Sequence, residues 1–266
     1  MRAAPWIALL VAWPVVLGAA GLPRQSAVPG GLAHVVVGER PAPVPSVWYE
    51  GRRALVVAQG QRWLALVGIP LGAKPGRHEV SVEDAKAGRR VAFTVRPKSY
   101  PAQRLRLANQ RMVEPSAADL ERIAADRARI DTVLATWTAL DSVQTGFLAP
   151  VHGRLSSRFG LRRFFNGQAR SPHGGVDLAA PAGTPVKAPA RARVIGTGEF
   201  YFNGRSVFLD HGQGLISAYF HLSEIRVREG QELAQGEVLG TVGATGRATG
   251  PHLHWSIYLN RAQVDP

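Results

Sequence analysis

Cysteine is absent from all 266 residues of the chain, and this absence excludes three kinds of chemistry. Disulfide bonds, thiolate metal ligands and a cysteine nucleophile all require a side chain that the protein lacks. A metal site must therefore be built from histidine and carboxylate side chains. The absence of thiols also suits folding in an oxidising compartment, but it does not fix the compartment.

Acidic residues are also few, since 19 Asp and Glu stand against 32 Lys and Arg and give a net charge of +13. A charge of this sign admits nucleic acid, an anionic membrane surface or an anionic polymer as a partner. The sequence has no dense Lys/Arg block, no zinc-finger spacing and no strip of aromatic and basic residues. Most of the basic residues are Arg in a chain rich in Ala, Gly, Pro and Val, so we interpret the charge as compositional bias and expect no nucleic-acid partner.

Long apolar runs are lacking except near the first residue, where Met1-Arg2 is followed by an apolar stretch from Ala3 to Ala20. The stretch ends in small residues at 18–20, which is the layout of a secretory signal peptide. The alternatives are a buried helix or an uncleaved membrane anchor, because the stretch is barely long enough to span a bilayer. Pro5 and Pro14 weaken a helix here. We therefore expect cleavage after Ala20 and export to the periplasm or cell envelope, with membrane attachment only if the segment is retained.

Short β-rich runs occur on both sides of one predicted helix, so the predicted fold class is mainly β. We expect a signal peptide at 1–20, a small β-sandwich domain at 21–100, a helical connector at 101–148 and a second all-β domain at 149–266. The predicted strands of the first domain are 33–37, 47–49, 54–58, 63–69, 78–82 and 91–95. Those of the second domain are at 186, 193–195, 206–210, 215–220, 225–227, 238–242 and 252–259.

The connector is predicted to contain a helix that begins after Ser116. Ser116 and Asp119 have the spacing of a helix N-terminal cap. Apolar residues then recur at helical spacing, namely Leu120, Ile123, Ile130, Val133, Leu134 and Trp137. One face of the helix should therefore pack against another part of the molecule, and a linker that faces the core explains the pattern better than a helix that binds a partner.

Histidines are concentrated near the carboxyl end, where His173 stands in the segment Pro172-His173-Gly174-Gly175-Val176-Asp177. Two consecutive glycines disfavour a helix, so His173 and Asp177 do not share a helical face. In an extended strand their side chains would start about 13 Å apart, which is too far to share one metal. If both are ligands, the Gly-Gly turn must bring them together.

The second histidine segment, Gly250 to Leu259, alternates between apolar and polar residues. This pattern predicts a half-buried strand with His252 and His254 on its polar face, about 7 Å apart along the strand. One imidazole could bind a metal while the other reaches a substrate, or both could bind the metal, and the spacing does not choose between them. His221 ends another alternating run, and taken alone it would be structural.

These segments closely resemble the LytM/lysostaphin-type zinc metallopeptidases, family M23, which cut peptide bonds in bacterial cell-wall peptidoglycan. The resemblance covers about residues 153–266 and rests on four separated motifs in the family's order. These motifs are Arg154 to Gly160, His173 to Val186, Tyr219 to Leu222 and Gly246 to His254. The stretch from Arg162 to Arg170 departs from the common pattern and could alter the wall of the substrate groove.

The resemblance implies a C-terminal LytM-type zinc metallopeptidase domain at 149–266, with Zn²⁺ as its cofactor. It implies His173, Asp177 and His254 as metal ligands and His221 and His252 as catalytic histidines, whereas His211 matches a structural turn. Three protein ligands leave zinc a fourth position for water. The chain has no His-Glu-x-x-His motif, so the two catalytic histidines are expected to share proton transfer and oxyanion stabilisation.

The implied function is an exported zinc metalloendopeptidase that hydrolyses peptide crosslinks between peptidoglycan stem peptides during wall remodelling. The alternative is a non-catalytic, wall-binding regulator of other wall hydrolases, which the complete ligand set disfavours. The sequence leaves open which peptide bond is cut, which histidine is the base, what the N-terminal domain does and what the oligomeric state is.

Overall fold

The computed structural model of the protein describes residues 21–83 and 88–266. The predicted signal peptide at 1–20 lies outside the described residues. Within them, the protein has numerous short strands and a single α-helix, which confirms the mainly β fold class. No helix in this part of the chain is both long enough and apolar enough to cross a membrane.

The N-terminal region is a sandwich of two antiparallel sheets. Its strands are β1 (Leu32–Glu39), β2 (Ser46–Tyr49), β3 (Arg52–Arg53), β4 (Leu55–Gln59), β5 (Arg62–Gly68), β6 (Gly76–Glu83) and β7 (Gly88–Val95). One sheet has the order β1-β5-β4 and the other β3-β2-β6-β7. The pairing within each sheet is antiparallel, as the short alternating runs predict.

The sheet β1-β5-β4 has apolar side chains on both faces. Along β5, Ala65 and Val67 point into the sandwich core, whereas Leu64 and Leu66 belong to the core of the second domain. Successive strand residues face opposite sides of a sheet, so one strand can serve two cores. The sandwich therefore packs directly against the C-terminal region.

The connector contains a strand, β8 (Ala102–Leu105), a 3-10 helix at Gln110–Met112 and the helix α1 (Ala117–Leu134). Ser116 and Asp119 form a reciprocal capping box at the start of α1, as their spacing predicts. The prediction of one buried apolar face from Leu120 to Trp137 was wrong at both ends, because Leu120 is 56% exposed and α1 ends before Trp137. Only the last turns of α1 pack against the core. Trp137 instead contacts Arg53, whose guanidinium carbon lies 4.7 Å from the centre of the Trp137 ring.

The C-terminal region is built around one large sheet. Its strands are β9 (Arg154–Ser157), β10 (Arg162–Phe165), β11 (Gln168–Ala169), β12 (Val176–Ala179), β13 (Pro185–Lys187), β14 (Ala192–Phe200), β15 (Gly204–Asp210), β16 (Ile216–Leu222), β17 (Glu224–Ile225), β18 (Glu232–Leu233), β19 (Val238–Thr241), β20 (Leu253–Leu259) and β21 (Ala262–Val264). The eight-stranded sheet has the order β18-β14-β15-β16-β20-β12-β9, and β21 pairs with β20. A small sheet, β13-β19-β17, lies beside it.

Strand β20 is buried on both faces, so the prediction of a half-buried strand was wrong. Its apolar face, which includes Leu253 and Trp255, belongs to the main core. Its other face joins a second cluster through Tyr258, and the end of α1 covers this cluster. The helix therefore helps to bury Tyr258, which lies on the face that the sequence pattern of β20 alone assigns to solvent.

Strands β10 and β11 form a hairpin inside the stretch that departs from the family pattern. Strand β10 also pairs in parallel with β8, so the connector and the hairpin make a three-stranded sheet. The backbone N–H of His173 donates to the carbonyl of Leu161 over 2.9 Å, which fixes the hairpin beside the His173 segment.

Candidate active site

Strands β12 and β20 place the first two polar groups of the site opposite each other. Asp177 pairs directly with His254 in the antiparallel register of the two strands. Gly175 allows the close approach of this segment to β20, because a Cβ there would lie 2.6 Å from Ser256 Oγ and 2.8 Å from His254 Nε2. A Cβ at Gly174 would overlap only the side-chain amide of Gln263, which can move aside. Steric contact with the backbone of β20 therefore requires glycine at position 175.

Three side chains converge on one point in this region. The Nε2 atom of His173 lies 2.9 Å from Asp177 Oδ1, and His254 Nδ1 lies 2.8 Å from the same oxygen. The two ring nitrogens are 2.9 Å apart. All three residues are buried, and one ligand atom from each lies within 4.8 Å of the others. The Gly-Gly turn thus brings His173 and Asp177 together, as a shared metal requires.

The far side of each imidazole is fixed by a further hydrogen bond. The Nδ1 atom of His173 lies 2.8 Å from the carbonyl oxygen of Arg158, which can only accept, so this nitrogen carries the proton. The Nε2 atom of His254 lies 2.8 Å from Ser256 Oγ. This arrangement leaves His173 Nε2 and His254 Nδ1 as the ring atoms that face Asp177 Oδ1. Such outer hydrogen bonds are typical of histidines that bind a metal.

The electrostatics keep Asp177 ionised. Burial alone would raise the pKa of Asp177, but hydrogen bonds and charge interactions with His173 and His254 outweigh burial and hold the pKa well below its usual range. Burial lowers the pKa of His254 to about 4 against the opposing effect of Asp177. A carboxylate and two imidazoles therefore face one another with few protons between them. This donor set is that of a zinc site with an open fourth position.

Arg163, on β10, is a member of the site that sequence reasoning missed. Its guanidinium donates to Asp177 Oδ2 over 2.7 Å and to the side-chain oxygen of Gln103 over 3.2 Å. It therefore occupies the second carboxylate oxygen and leaves Oδ1 for the histidines. The signal in the sequence was the unusual stretch from Arg162 to Arg170, but nothing there showed which Arg turns inward.

His221 and His252 form a pair beside the three converging residues. Their ring centres are 4.9 Å apart, and His252 Nε2 lies 3.8 Å from Asp177 Oδ1. Each Nδ1 is 2.8 Å from a backbone carbonyl, that of Thr245 for His221 and of Gly250 for His252, so each must donate there. Both Nε2 atoms are therefore left to accept or transfer a proton.

His221 occupies a strained backbone position. Its φ of 64° lies in the left-handed region, which residues other than glycine rarely adopt. Its backbone N–H is fixed by the carbonyl of Asn203 over 2.8 Å. Burial, followed by repulsion from His254 and His252, lowers the pKa of His221 to about 3. Strain and a perturbed pKa at one residue are typical of functional sites.

His211 lies away from this cluster. Its Nδ1 donates to the carbonyl of Arg191 over 3.1 Å, and its Nε2 lies 2.7 Å from Ser217 Oγ. The ring also packs against Phe147, with 4.6 Å between ring centres. Both nitrogens are occupied inside the core, which agrees with the structural interpretation of this residue.

Two family models match the chain, and they cover different parts of it. The model described as peptidase family M23 matches residues 171–266, and the model of the M23 N-terminal domain matches residues 25–98. A crystal structure of an M23 peptidase from Pseudomonas aeruginosa is 42% identical in sequence and has a TM-score of 0.76. The match covers 91% of this chain and 94% of the Pseudomonas chain.

Curated relatives resemble the carboxyl-terminal half. The peptidoglycan DD-endopeptidase ShyA of Vibrio cholerae is 39% identical over 129 residues, which are 47% of this chain and 30% of the relative. The DD-carboxypeptidase/endopeptidase Mpg of Neisseria meningitidis is 41% identical over 116 residues, which are 44% of this chain and 27% of the relative. The chain thus matches less than a third of the length of these curated relatives. The agreement over nearly the whole length of the Pseudomonas structure establishes that the chain belongs to peptidase family M23.

Proposed function

We propose that this protein is an exported zinc metalloendopeptidase that hydrolyses peptide crosslinks of bacterial peptidoglycan. The observation that carries the proposal is the convergence of His173, Asp177 and His254 on one point, with His221 and His252 beside them. The named relatives include peptidoglycan DD-endopeptidases, which favours the crosslink between stem peptides as the bond that is cut.

In this proposal His173, Asp177 and His254 hold the zinc. The carbonyl of Arg158 and the hydroxyl of Ser256 orient the two imidazoles, and Arg163 orients the carboxylate. When bound, zinc polarises the scissile carbonyl and lowers the pKa of an attacking water.

His221 and His252 carry the proton and the developing charge. With Nδ1 of each ring donating to the backbone, the Nε2 of one histidine accepts the proton of the attacking water. The other, once protonated, donates a hydrogen bond to the oxyanion that forms on the scissile carbonyl. The proton taken from the water then passes to the leaving amine, and because the hydrogen bonds of the two rings are alike, either division of the two roles balances the hydrolysis.

Alanine variants of His252 and His254 test the distinction between a catalytic histidine and a metal ligand. H254A should lose zinc because a ligand is gone, whereas H252A should keep zinc while turnover falls by about 100-fold or more. Zinc content is measured by elemental analysis, and turnover by the release of muropeptides from purified sacculi. H152A is the control, since His152 is exposed outside the cluster and its loss should change neither quantity.

Two outcomes would contradict the proposal. Equal loss of zinc in H252A and H254A would remove the distinction between ligand and catalyst. A zinc-loaded wild-type protein that releases no muropeptides would instead identify the chain as a non-catalytic regulator. Mass spectrometry of the products from defined muropeptides identifies the bond that is cut.

A further inference from the structure

Arg247 lies on the loop that joins β19 to β20, which also carries His252 and contacts His221. The carbonyl of Thr245 accepts the hydrogen bond of His221 Nδ1, and the backbone N–H of His252 donates to Gly243 over 3.1 Å. The backbone N–H of Arg247 donates to the carbonyl of Phe202 over 2.8 Å. The position of Arg247 is therefore fixed relative to the site.

The guanidinium of Arg247 lies between two aromatic rings. Its carbon is 4.1 Å from the ring centre of Phe202 and 4.7 Å from that of Phe165, which belongs to the β10–β11 hairpin. Among the described residues, no Asp or Glu lies within ion-pair distance of this guanidinium. A half-buried cation is thus held by two rings without a counter-ion.

Two further cations lower the pKa of Arg247. Burial, followed by the charges of Arg163 and Arg170, lowers the pKa of Arg247 to about 10. Arg163 already donates to Asp177, and Arg170 donates to the carbonyl of Val113 and to Gln168. Both neighbours therefore have partners that direct their guanidinium groups, whereas within the described part of the chain the guanidinium of Arg247 contacts the two rings alone.

This arrangement is unfavourable unless an anion joins it. Clustered like charges repel each other more strongly where water is partly excluded, and contacts with ring faces offset this only in part. The planar fork of a guanidinium matches a carboxylate with two parallel hydrogen bonds. The rings of Phe165 and Phe202 would hold the fork in place for such a pairing.

We propose that Arg247 binds a free carboxylate of the peptide substrate close to the scissile bond and thereby determines specificity. The inference rests on the proposed function, because the carboxylate belongs to the peptide that the site would cut. It predicts that a substrate with free carboxylates is preferred over the same substrate in amidated form.

The test uses the zinc-loaded full chain and two forms of one crosslinked muropeptide dimer, the free acid and the dimer with its carboxyl groups converted to amides. Wild type should cleave the free acid with a kcat/KM about tenfold or more above that of the amide. R247Q should lose this preference through slower cleavage of the free acid, with the amide little affected. R247K keeps the charge without the fork, so it should retain part of the preference.

Binding to the metal-free protein gives a second readout. Calorimetric titration should show the free-acid dimer binding about tenfold more weakly to R247Q than to wild type, with no difference for the amide. R228Q is the matched control, because Arg228 is exposed in the turn before β18 and its loss should leave both ratios unchanged.

Three outcomes would overturn the inference. In the first, wild type cleaves both dimers at the same rate. In the second, R247Q lowers kcat/KM by the same factor for both dimers, as expected if Arg247 only braces Phe165 and Phe202. In the third, R247Q binds the free acid as tightly as wild type. The failure of the proposed function itself is distinct, since wild type would then cleave neither dimer.

Discussion

At the scale of single residues, the histidines of this chain differ in what surrounds their two ring nitrogens. The site histidines each have one nitrogen held by a polar group and the other directed at the cluster. His211 has both nitrogens occupied within the core. The same side chain therefore belongs to a polar cluster in one place and to core packing in another, and the hydrogen bonds of the second nitrogen separate the two environments.

His211 should make the stability of the protein depend on pH. Burial lowers the pKa of His211 from 6.5 to about 4. Below pH 6.5 the ring is therefore protonated in the unfolded chain but stays neutral in the folded chain. The stabilisation from the neutral ring is complete above the unfolded pKa and is lost as pH falls towards the folded pKa. Between about pH 7.5 and about pH 5, His211 should account for roughly 2 kcal/mol of lost unfolding free energy.

The measurement is urea unfolding of wild type and H211N, both free of metal because zinc binding depends on pH itself. Asparagine keeps a polar group near Arg191 but does not titrate. H211N should show a pH dependence smaller than wild type by the stated amount. Parallel curves for the two proteins would show that His211 does not titrate differently on folding.

The candidate site was predictable where its signals were local. His173, Asp177 and His254 stand in short motifs whose residues are close in sequence, so the motifs can be read directly. Arg163 acts on a carboxylate fourteen positions away through a hairpin, and Arg247 meets a ring of that hairpin. Their roles depend on how separate segments fold against each other, which spacing in the sequence does not encode.

At the scale of elements, the period-two pattern predicted most of the long strands but misjudged what covers them. The predicted runs at 33–37 and 63–69 match β1 and β5 within a residue or two. The outer face of β20 was assigned to solvent, yet α1 covers its sheet. Alternation reports which residues share a face, and only the packing of a distant helix decides whether that face meets water. Short strands such as β10 and β11 carry too few residues to show a period.

Gly175 should control how closely its segment approaches β20. A Cβ at this position would overlap the carbonyl of Trp255 and lie 2.6 Å from Ser256 Oγ, and a backbone atom cannot turn aside as a side chain can. G175A should therefore reduce the unfolding free energy by about 1 to 3 kcal/mol and weaken zinc retention by displacing His254.

G72A is the matched control for this substitution. A Cβ at Gly72 would meet nothing within 4 Å, and the backbone there is not in the left-handed region. Urea unfolding and competition for zinc with a chelator measure the two effects. If G175A retained zinc as well as G72A, the close approach of the segment would not matter to the site.

At the scale of the whole molecule, the sandwich and the peptidase region share one core. Leu55 and Leu66 of the sandwich lie in the same cluster as Trp255 and Leu259 of β20. The N-terminal region thus supports the back of the strand that carries His254. These contacts would be absent if the N-terminal region were only a tether or a separate docking module.

Asn260, just after β20, joins the two regions through its side-chain amide. Its Oδ1 accepts from the backbone N–H of Gly68 over 2.7 Å, and its Nδ2 donates to the carbonyl of Gly68 over 2.9 Å. The residue is buried and has a φ of 40°, so glycine can replace it without added backbone strain. N260G should therefore lose only the two hydrogen bonds and leave both groups of Gly68 unpaired, at a cost of about 2 to 4 kcal/mol.

Calorimetry and urea unfolding of the full chain test this coupling. Because the core is shared, wild type should unfold in one cooperative transition, which N260G shifts to lower temperature and lower urea concentration. N166G is the control, since Asn166 has a similar φ of 50° but lies exposed on the hairpin, where the loss should stay below about 1 kcal/mol. Two separate transitions in wild type, with neither moved by N260G, would mean that the sandwich is an independent module and does not stabilise the strand that carries His254.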